Sequence, residues 1–166
     1  DWSSDVCSSD LGGEVGVQAR WNNGFSARFT YAYTKEQLAK DKDGNTINNQ
    51  YIPAREHAFN ARMDYDHQFT KNYGLNIGLS GRYLSGVENV EYKNYYNVSE
   101  GTLTVSYPAY TIWKLSLVQR IGKAVKVTAA LDNLFGYKPK YYYLNSPITD
   151  GVTFQIGVSI DIDKFF

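Results

Sequence analysis

The sequence lacks the features by which several large classes of protein are recognised. It has no stretch of about eighteen uncharged apolar residues, so a transmembrane helix is excluded. Acidic and basic residues number seventeen each, so the chain has no basic surplus of the kind that accompanies nucleic-acid binding. Proline is scarce, with four residues in 166, which suits extended and paired backbone. A membrane β-barrel is not excluded, because its strands alternate apolar and polar residues and its mean hydropathy is therefore low.

Cysteine is nearly absent, and the single one, Cys7, lies in an N-terminal segment that is unlike the rest of the chain. Residues 1–11 match the translation of a short-read sequencing adapter. We predict that they are an assembly artefact outside the fold and that residues 12–166 form the folded domain. A natural Ser-rich linker is the alternative. Cys7 therefore carries no information about redox state or metal binding, and the natural start of the protein, with any signal peptide, is expected to be missing.

From residue 12 onward the chain alternates between period-two segments and turn sequences, which predicts strands. The clearest segment is the last, GVTFQIGVSIDIDKFF, which alternates apolar residues with polar or small ones. In each segment one face is almost free of charge and the other carries charged and polar side chains. Seven strands are predicted, at about 13–21, 25–37, 57–69, 75–84, 109–120, 125–135 and 151–166.

The connections between these strands alternate strictly between short and long. Short turns are predicted at 22–24, 71–74 and 122–123, and long loops at about 38–56, 86–108 and 136–151. Many of the fifteen tyrosines and other aromatic residues collect near the strand ends, as two belts. Short turns, long loops, one apolar face and two aromatic belts are typical of an outer-membrane barrel. The predicted fold is an all-β, antiparallel, up-and-down transmembrane β-barrel, with a soluble β-sandwich as the alternative.

The number of strands, seven, is odd, whereas bacterial single-chain barrels have an even number of strands. An isolated set of seven would leave two unpaired edges in lipid. We therefore expect residues 12–166 to be the C-terminal part of a larger outer-membrane barrel. The free edge of the last strand is then expected to pair with a first strand outside this sequence.

Two segments carry a resemblance to a known family. The segment Leu131–Tyr137 contains Asn-Leu-Phe before the last loop, and the tract Tyr141–Pro147 is followed by the terminal strand. Together these segments resemble the end of TonB-dependent receptors, most like those of Bacteroidetes. The resemblance implies a fragment of a barrel of about 22 strands with an N-terminal plug. It also implies energised import of a large, scarce nutrient, which is an iron chelate, haem, cobalamin or a glycan.

The same resemblance implies the location and the partners of the protein. The location is the bacterial outer membrane, and the partners are membrane lipid, the barrel-assembly machinery and the TonB energy-coupling complex. The TonB complex would act through a plug region outside this sequence. The alternative is a passive porin or a structural outer-membrane barrel without energy coupling, and a soluble β-rich binding module is more remote. Neither the family nor the residues indicate an enzyme.

No catalytic constellation, metal site or cofactor site is predicted from the residues. His57 and His67 stand ten residues apart on one strand, and we interpret them as aromatic-belt or rim residues rather than metal ligands. The segment Asp41–Asn45 fails as a calcium loop, because Ala39 and Gln50 would occupy positions that require acidic residues. Asp43 and Gly44 are better read as a turn.

Three sets of residues remain as functional candidates. The first set is the tyrosines of two long loops, which we predict to contact ligand because rigid aromatic rings stack on sugars and macrocycles: Tyr92, Tyr95, Tyr96, Tyr141, Tyr142 and Tyr143. The second set is an assembly signal at the C-terminus, which the resemblance implies: Val158, Ile160, Ile162 and Phe166. The third set is the charged residues of the polar face, for which cross-strand pairing and plug contact are expected rather than an ion pathway: Arg20, Arg28, Arg62, Arg82, Lys114, Lys126, Asp64, Asp66, Asp132, Asp161 and Asp163.

Overall fold

The fold consists of strands joined by turns. The computed structural model describes residues 9–37, 54–94, 96–139, 149 and 151–164. Within these residues it has nine strands and two single turns of 3-10 helix, Val98–Glu100 and Ile162–Lys164. No helix in this part of the chain is long and apolar enough to cross a membrane. In chain order the strands are β1 (Ser9–Arg20), β2 (Phe25–Gln37), β3 (His57–Thr70), β4 (Tyr73–Leu84), β5 (Val87–Tyr92), β6 (Thr102–Tyr107), β7 (Tyr110–Ile121), β8 (Val125–Asp132) and β9 (Thr153–Ile160).

Seven of the strands form one antiparallel sheet in the order β1-β2-β3-β4-β7-β8-β9. Each strand in this order is the next main strand along the chain, which confirms the predicted up-and-down arrangement. Strands β1 and β9 stand at the two ends of the order. Strands β5 and β6 form a separate two-stranded sheet, paired from Val87 with Tyr107 to Tyr92 with Thr102.

Alternation and turn chemistry place most strand boundaries close to the predicted ones. Strand β2 has the predicted bounds, because Gly24 and the residues before it close a tight turn. Gly24 has a φ of 89°, which an L side chain rarely adopts, and Phe25 N donates to Asn23 Oδ1 at 3.1 Å. Strand β1 begins at Ser9, earlier than expected, so the backbone of residues 9–11 continues the strand. Residues 1–8 lie outside the described residues, and the artefact interpretation of 1–11 stays a prediction.

The loop predicted at about 86–108 is wrong as a description of the backbone, because most of it is the hairpin of β5 and β6. The β-branched and aromatic content of residues 102–107 favours a strand, and the residues opposite supply its partner. A loop was expected there because Asn, Glu and Lys residues of the segment obscured the alternation.

Two strands end earlier than their apolar patterns predict. Strand β8 stops at Asp132 because Asn133 takes a φ of 54°, which lies in the left-handed region and breaks an extended chain. Strand β9 stops at Ile160 because β8, its described neighbour, begins only at Val125. Asp161 N makes one further bond, to Ala124 O at 2.8 Å, and the chain then turns at Ile162–Lys164.

The chain divides into two compact units, which we describe separately. The first comprises Asp1–Val15, Tyr31–Ala58 and Leu84–Tyr110 and contains the hairpin of β5 and β6. Its buried apolar side chains are Leu84, Tyr107 and Tyr110. The second comprises Gly16–Thr30, Phe59–Tyr83 and Thr111–Phe166, and its buried apolar side chains in the described part are Ala27 and Ala61.

These small cores contrast with a wide exposed apolar surface. On β9 and its flanks the apolar side chains are 55–68 % exposed, from Val152 through Phe154, Ile156, Val158 and Ile160 to Ile162. Apolar area left in water costs about 25 cal/mol for each Å², so a row of this kind needs an apolar environment. The exposed apolar side chains of β9 therefore indicate a face that packs against an apolar environment rather than water.

Candidate functional site

The sheet has two chemically distinct faces. The apolar face is the side of the sheet that bears Phe29, Phe59, Trp113 and Val158. The polar face is the opposite side, which bears Asp64, Asp66 and Arg120. The strand parity of residues places them on these faces. Each face holds its own network of contacts, and the hairpin of β5 and β6 adds a third region.

On the apolar face, aromatic rings gather beside the short turns. Trp21 and Phe25 flank the first turn, with ring centroids 5.1 Å apart. At the second turn, His67 is stacked on Tyr65 at 5.9 Å and meets Phe69 edge-on at 4.5 Å. Such paired rings with polar atoms suit the boundary between an apolar phase and water.

His57 forms a similar aromatic group at the start of β3, next to a long connection. Its Nδ1 lies 2.8 Å from the hydroxyl of Tyr31, and its ring lies 5.2 Å from the ring of Tyr33. Both histidines thus lie among aromatic rings, as interpreted from the sequence. Within the described ranges, no three His, Cys, Asp or Glu side chains are grouped as metal ligands.

One aromatic contact on the apolar face depends on a glycine. A Cβ atom at Gly81 would lie 2.5–2.6 Å from three indole atoms of Trp113, so the indole lies flat over the backbone of β4. Trp113 also meets Phe135 edge-on, with centroids 6.4 Å apart. The glycine provides the space in which a tryptophan of β7 covers a neighbouring strand.

The polar face carries three ion pairs among the described residues, and Lys114 with Asp132 is the one that joins two strands within the predicted set. Arg120 and Asp66 form a two-point pair at 2.7 and 3.1 Å, and Lys114 lies 2.9 Å from Asp132. Arg62 pairs with Asp64, two residues along the same strand, at 2.7 Å. Because the pairs are partly exposed, their net stabilisation is small, about 1 kcal/mol or less each.

A buried polar side chain lies where β8 ends and the last long connection begins. Asn133 is 3 % exposed, and its Nδ2 donates to Tyr137 O at 2.7 Å, Thr149 Oγ1 at 2.9 Å and Gly151 O at 3.1 Å. Its Oδ1 accepts a hydrogen bond from Tyr137 N at 2.9 Å. One asparagine of the Asn-Leu-Phe segment therefore ties the beginning of this connection to its end.

The tip of the β5–β6 hairpin holds Tyr96 fully exposed on an ordered turn. The backbone N of Tyr96 donates to Asn94 Oδ1 at 2.9 Å. Glu100 Oε1 accepts from the side-chain amides of Asn94 and Asn97, at 3.1 and 3.0 Å, and closes the turn from the other side. The ring is thus exposed to solvent beside a turn in which Glu100 binds the side-chain amides of Asn94 and Asn97.

The other predicted candidates fall in different places. Tyr92 lies half-buried in β5, whereas Tyr95 and the tyrosines at 141–143 lie outside the described residues. Val158 and Ile160 point from the apolar face of β9, and Ile162 lies in the following turn. Phe166 lies outside the described residues. Of the six tyrosines the structure describes Tyr92 and Tyr96, and the role of all six as ligand contacts stays a prediction.

Sequence reasoning missed two groups that the structure makes prominent, Asn133 and Arg55. Asn133 lies within the quoted Asn-Leu-Phe segment, but nothing in the pattern reveals that its side-chain amide contacts four polar atoms. Arg55 contacts residues 30 and 53 positions away, a separation that no local signal shows.

The main sheet is antiparallel and has one apolar and one polar face, which is the pattern of a β-barrel segment. Residues 11–134 match the family model described as TonB-dependent receptor-like, β-barrel. The chain belongs to this family, which is one of outer-membrane receptors and transporters. Comparisons with curated proteins and with solved structures gave no match.

Proposed function

We propose that this chain is the C-terminal barrel segment of a receptor in the bacterial outer membrane that imports a large, scarce nutrient. The nutrient classes are those expected from the family resemblance: an iron chelate, haem, cobalamin or a glycan. Energy would come from the TonB complex, acting through a plug region outside this sequence. Family membership supports the receptor class, and the exposed apolar row of β9 supports contact with membrane lipid.

The observation that carries ligand binding is the display of Tyr96 at the hairpin tip. The ring of Tyr96 is fully exposed, and hydrogen bonds of Asn94 and Glu100 lie within the turn that carries it, so the ring is accessible to a ligand. Stacking of a flat or cyclic ligand on such a ring contributes about 1 kcal/mol. Tyr96 is therefore the first ligand contact that we propose.

The test uses the complete receptor in cells, with four probes: ferric citrate, haemin, cyanocobalamin and a maltodextrin. We expect saturable uptake of one probe that a protonophore abolishes. Tyr96→Ala should weaken binding of that probe about fivefold and Tyr96→Phe should preserve it. Tyr83→Ala, which removes an exposed tyrosine of β4, is the matched control. Non-saturable uptake that survives the protonophore would instead show a passive pore.

Val158, Ile160, Ile162 and Phe166 are proposed as the signal read by the barrel-assembly machinery. Support comes from their even numbering, which gives them one parity along the strand, and from the exposure of the first three on or beside the edge strand β9. Replacing Phe166 by Ala should slow membrane insertion, whereas Lys164→Ala should not. Equal insertion rates for both variants, followed by pulse-chase, would contradict this role.

A further inference from the structure

Arg55 lies where the two ends of the β5–β6 hairpin meet. It stands two residues before β3, and its Nη1 donates to the carbonyl oxygens of Ser85 and, at 3.0 Å, of Pro108. Ser85 precedes β5 and Pro108 follows β6. A single guanidinium nitrogen therefore ties together the point where the chain leaves the main sheet and the point where it returns.

An aromatic ring adds to this contact. The guanidinium carbon lies 4.9 Å from the centre of the Tyr110 ring, within the range of a cation–π interaction. Ser85 and Tyr110 are buried, so the bond to Ser85 is the better shielded of the two, whereas Pro108 is exposed. Nε of Arg55 is buried with no hydrogen-bond partner among the described residues, which costs free energy and offsets part of this gain.

His57 supports one side of the same base. Ser85 N donates to His57 O at 2.9 Å, and His57 N donates to Ser85 Oγ at 3.1 Å. These bonds fix the departing end of the hairpin to β3. The His57 bonds do not involve the residues that follow β6. Arg55 adds that link, because it also binds the carbonyl oxygen of Pro108.

The length of the hairpin amplifies any movement at its base. Six residues in each strand, at about 3.3 Å per residue, place the tip about 20 Å from Arg55. A rotation of about 15° at the base would then move Tyr96 by about 5 Å, more than a stacking contact tolerates. The direction of the hairpin therefore depends on how firmly its base is held.

We propose that Arg55 is a positioning residue that holds the direction of the β5–β6 hairpin and so places Tyr96 for ligand contact. The second half of this statement rests on the function proposed above, and the first half does not. Lysine could reach the same carbonyls, but it lacks the planar group that covers the Tyr110 ring. Arg55→Lys is therefore expected to retain only part of the effect.

The experiment measures hairpin direction without any ligand. In the complete receptor, in bilayers and with any native cysteines replaced by serine, nitroxide labels at Tyr96→Cys and Lys35→Cys give a distance distribution by pulsed EPR. Both labelled positions are exposed. We expect Arg55→Met to broaden the distribution at least twofold and Arg55→Lys to give an intermediate width. An unchanged width with Arg55→Met would overturn the proposal.

Two further variants separate the possible failures. Arg82→Met, which removes an exposed arginine of β4, should leave the width unchanged. If Arg55→Met does not assemble, Tyr110→Leu, which removes the ring beneath the guanidinium, should broaden the distribution, and its failure to do so also overturns the proposal. In the same receptor without labels, Arg55→Met should weaken binding of the transported probe about as much as Tyr96→Ala. A broadened distribution with unchanged probe binding keeps the positioning role and contradicts the ligand role of Tyr96.

Discussion

Arg120 of β7 and Asp66 of β3 form a two-point ion pair across the strand that lies between them. The two bonds measure 2.7 and 3.1 Å, and β4 passes beneath them at Gly74. A Cβ atom at Gly74 would lie 2.9 Å from Nη2 and 3.0 Å from Nε of Arg120. The bare backbone of β4 is what allows side chains two strands apart to meet.

This geometry predicts that the glycine contributes more to stability than the ion pair does. Arg120→Gln should cost about 1 kcal/mol or less, because the two side chains are 38 % and 51 % exposed. Gly74→Val should cost about 1–3 kcal/mol, because the new side chain must displace Arg120 and Gln68. Urea unfolding in lipid vesicles measures both. In an Arg120→Ala background the cost of Gly74→Val should fall, and an undiminished cost would show that Arg120 is not the obstacle.

The contact between Gly81 and Trp113 gives a second prediction. Gly81→Val should displace the indole from β4, lower stability by about 1–3 kcal/mol and shift the emission of Trp113. Gly13→Ala is the matched control, because a Cβ atom there meets nothing within 4 Å. Emission spectra with Trp2 and Trp21 replaced by Phe report on Trp113 alone. Identical spectra for Gly81→Val and the parent would refute the contact.

Asn133 should be the most sensitive polar residue among those that the structure describes. Asn133→Ala removes from a buried site an NH2 group, whose two hydrogens are shared among three acceptors, and one accepted hydrogen bond, and we expect a loss of about 2–4 kcal/mol. Asn133→Gly keeps the left-handed backbone accessible, so it separates the hydrogen bonds from the φ requirement. Asn60→Ala, which breaks one exposed bond to Thr30, is the control for urea midpoints. Equal midpoints for Asn133→Ala and Asn60→Ala would contradict this role.

Two adjacent alanines of β8 allow the stability cost of an arginine to be compared between the apolar and the polar face. Ala129 shares the apolar face with Val127, whereas Ala130 shares the polar face with Thr128. An arginine on the lipid side near mid-membrane costs about 2–4 kcal/mol, so Ala129→Arg should be strongly destabilising and Ala130→Arg only weakly so. The free energy of unfolding in vesicles measures the difference. Similar losses of unfolding free energy at the two positions would mean that both faces lie in the same environment.

The sequence predicts the main sheet well because its signals are local. Alternation sets the side-chain faces, and a turn such as Asn23-Gly24 fixes the bounds of β2. The hairpin of β5 and β6 escaped prediction because its alternation is weak and its pairing joins residues up to twenty positions apart. The end of β8 escaped because apolar periodicity does not show the positive φ of Asn133.

The candidate site was predicted less completely than the sheet. The choice of Tyr96 follows from composition, but its full exposure depends on the turn that Asn94 and Glu100 close. Arg55 was missed because its partners, Ser85 and Pro108, meet only when the hairpin folds back. Contacts of this range depend on topology, which local residue patterns do not encode.

Direct measurement of lipid contact along β8 tests the central claim that this chain spans the outer membrane with one face in lipid. Single cysteines at 125–131, in the complete receptor with any native cysteines replaced by serine, carry nitroxide labels in a bilayer. The account predicts that the ratio of collisions with oxygen to collisions with a water-soluble nickel complex oscillates with a period of two. The ratio should be high at Val125, Val127, Ala129 and Leu131 and low at Lys126, Thr128 and Ala130. A ratio that stays constant, or one that peaks at the second set, would contradict the account.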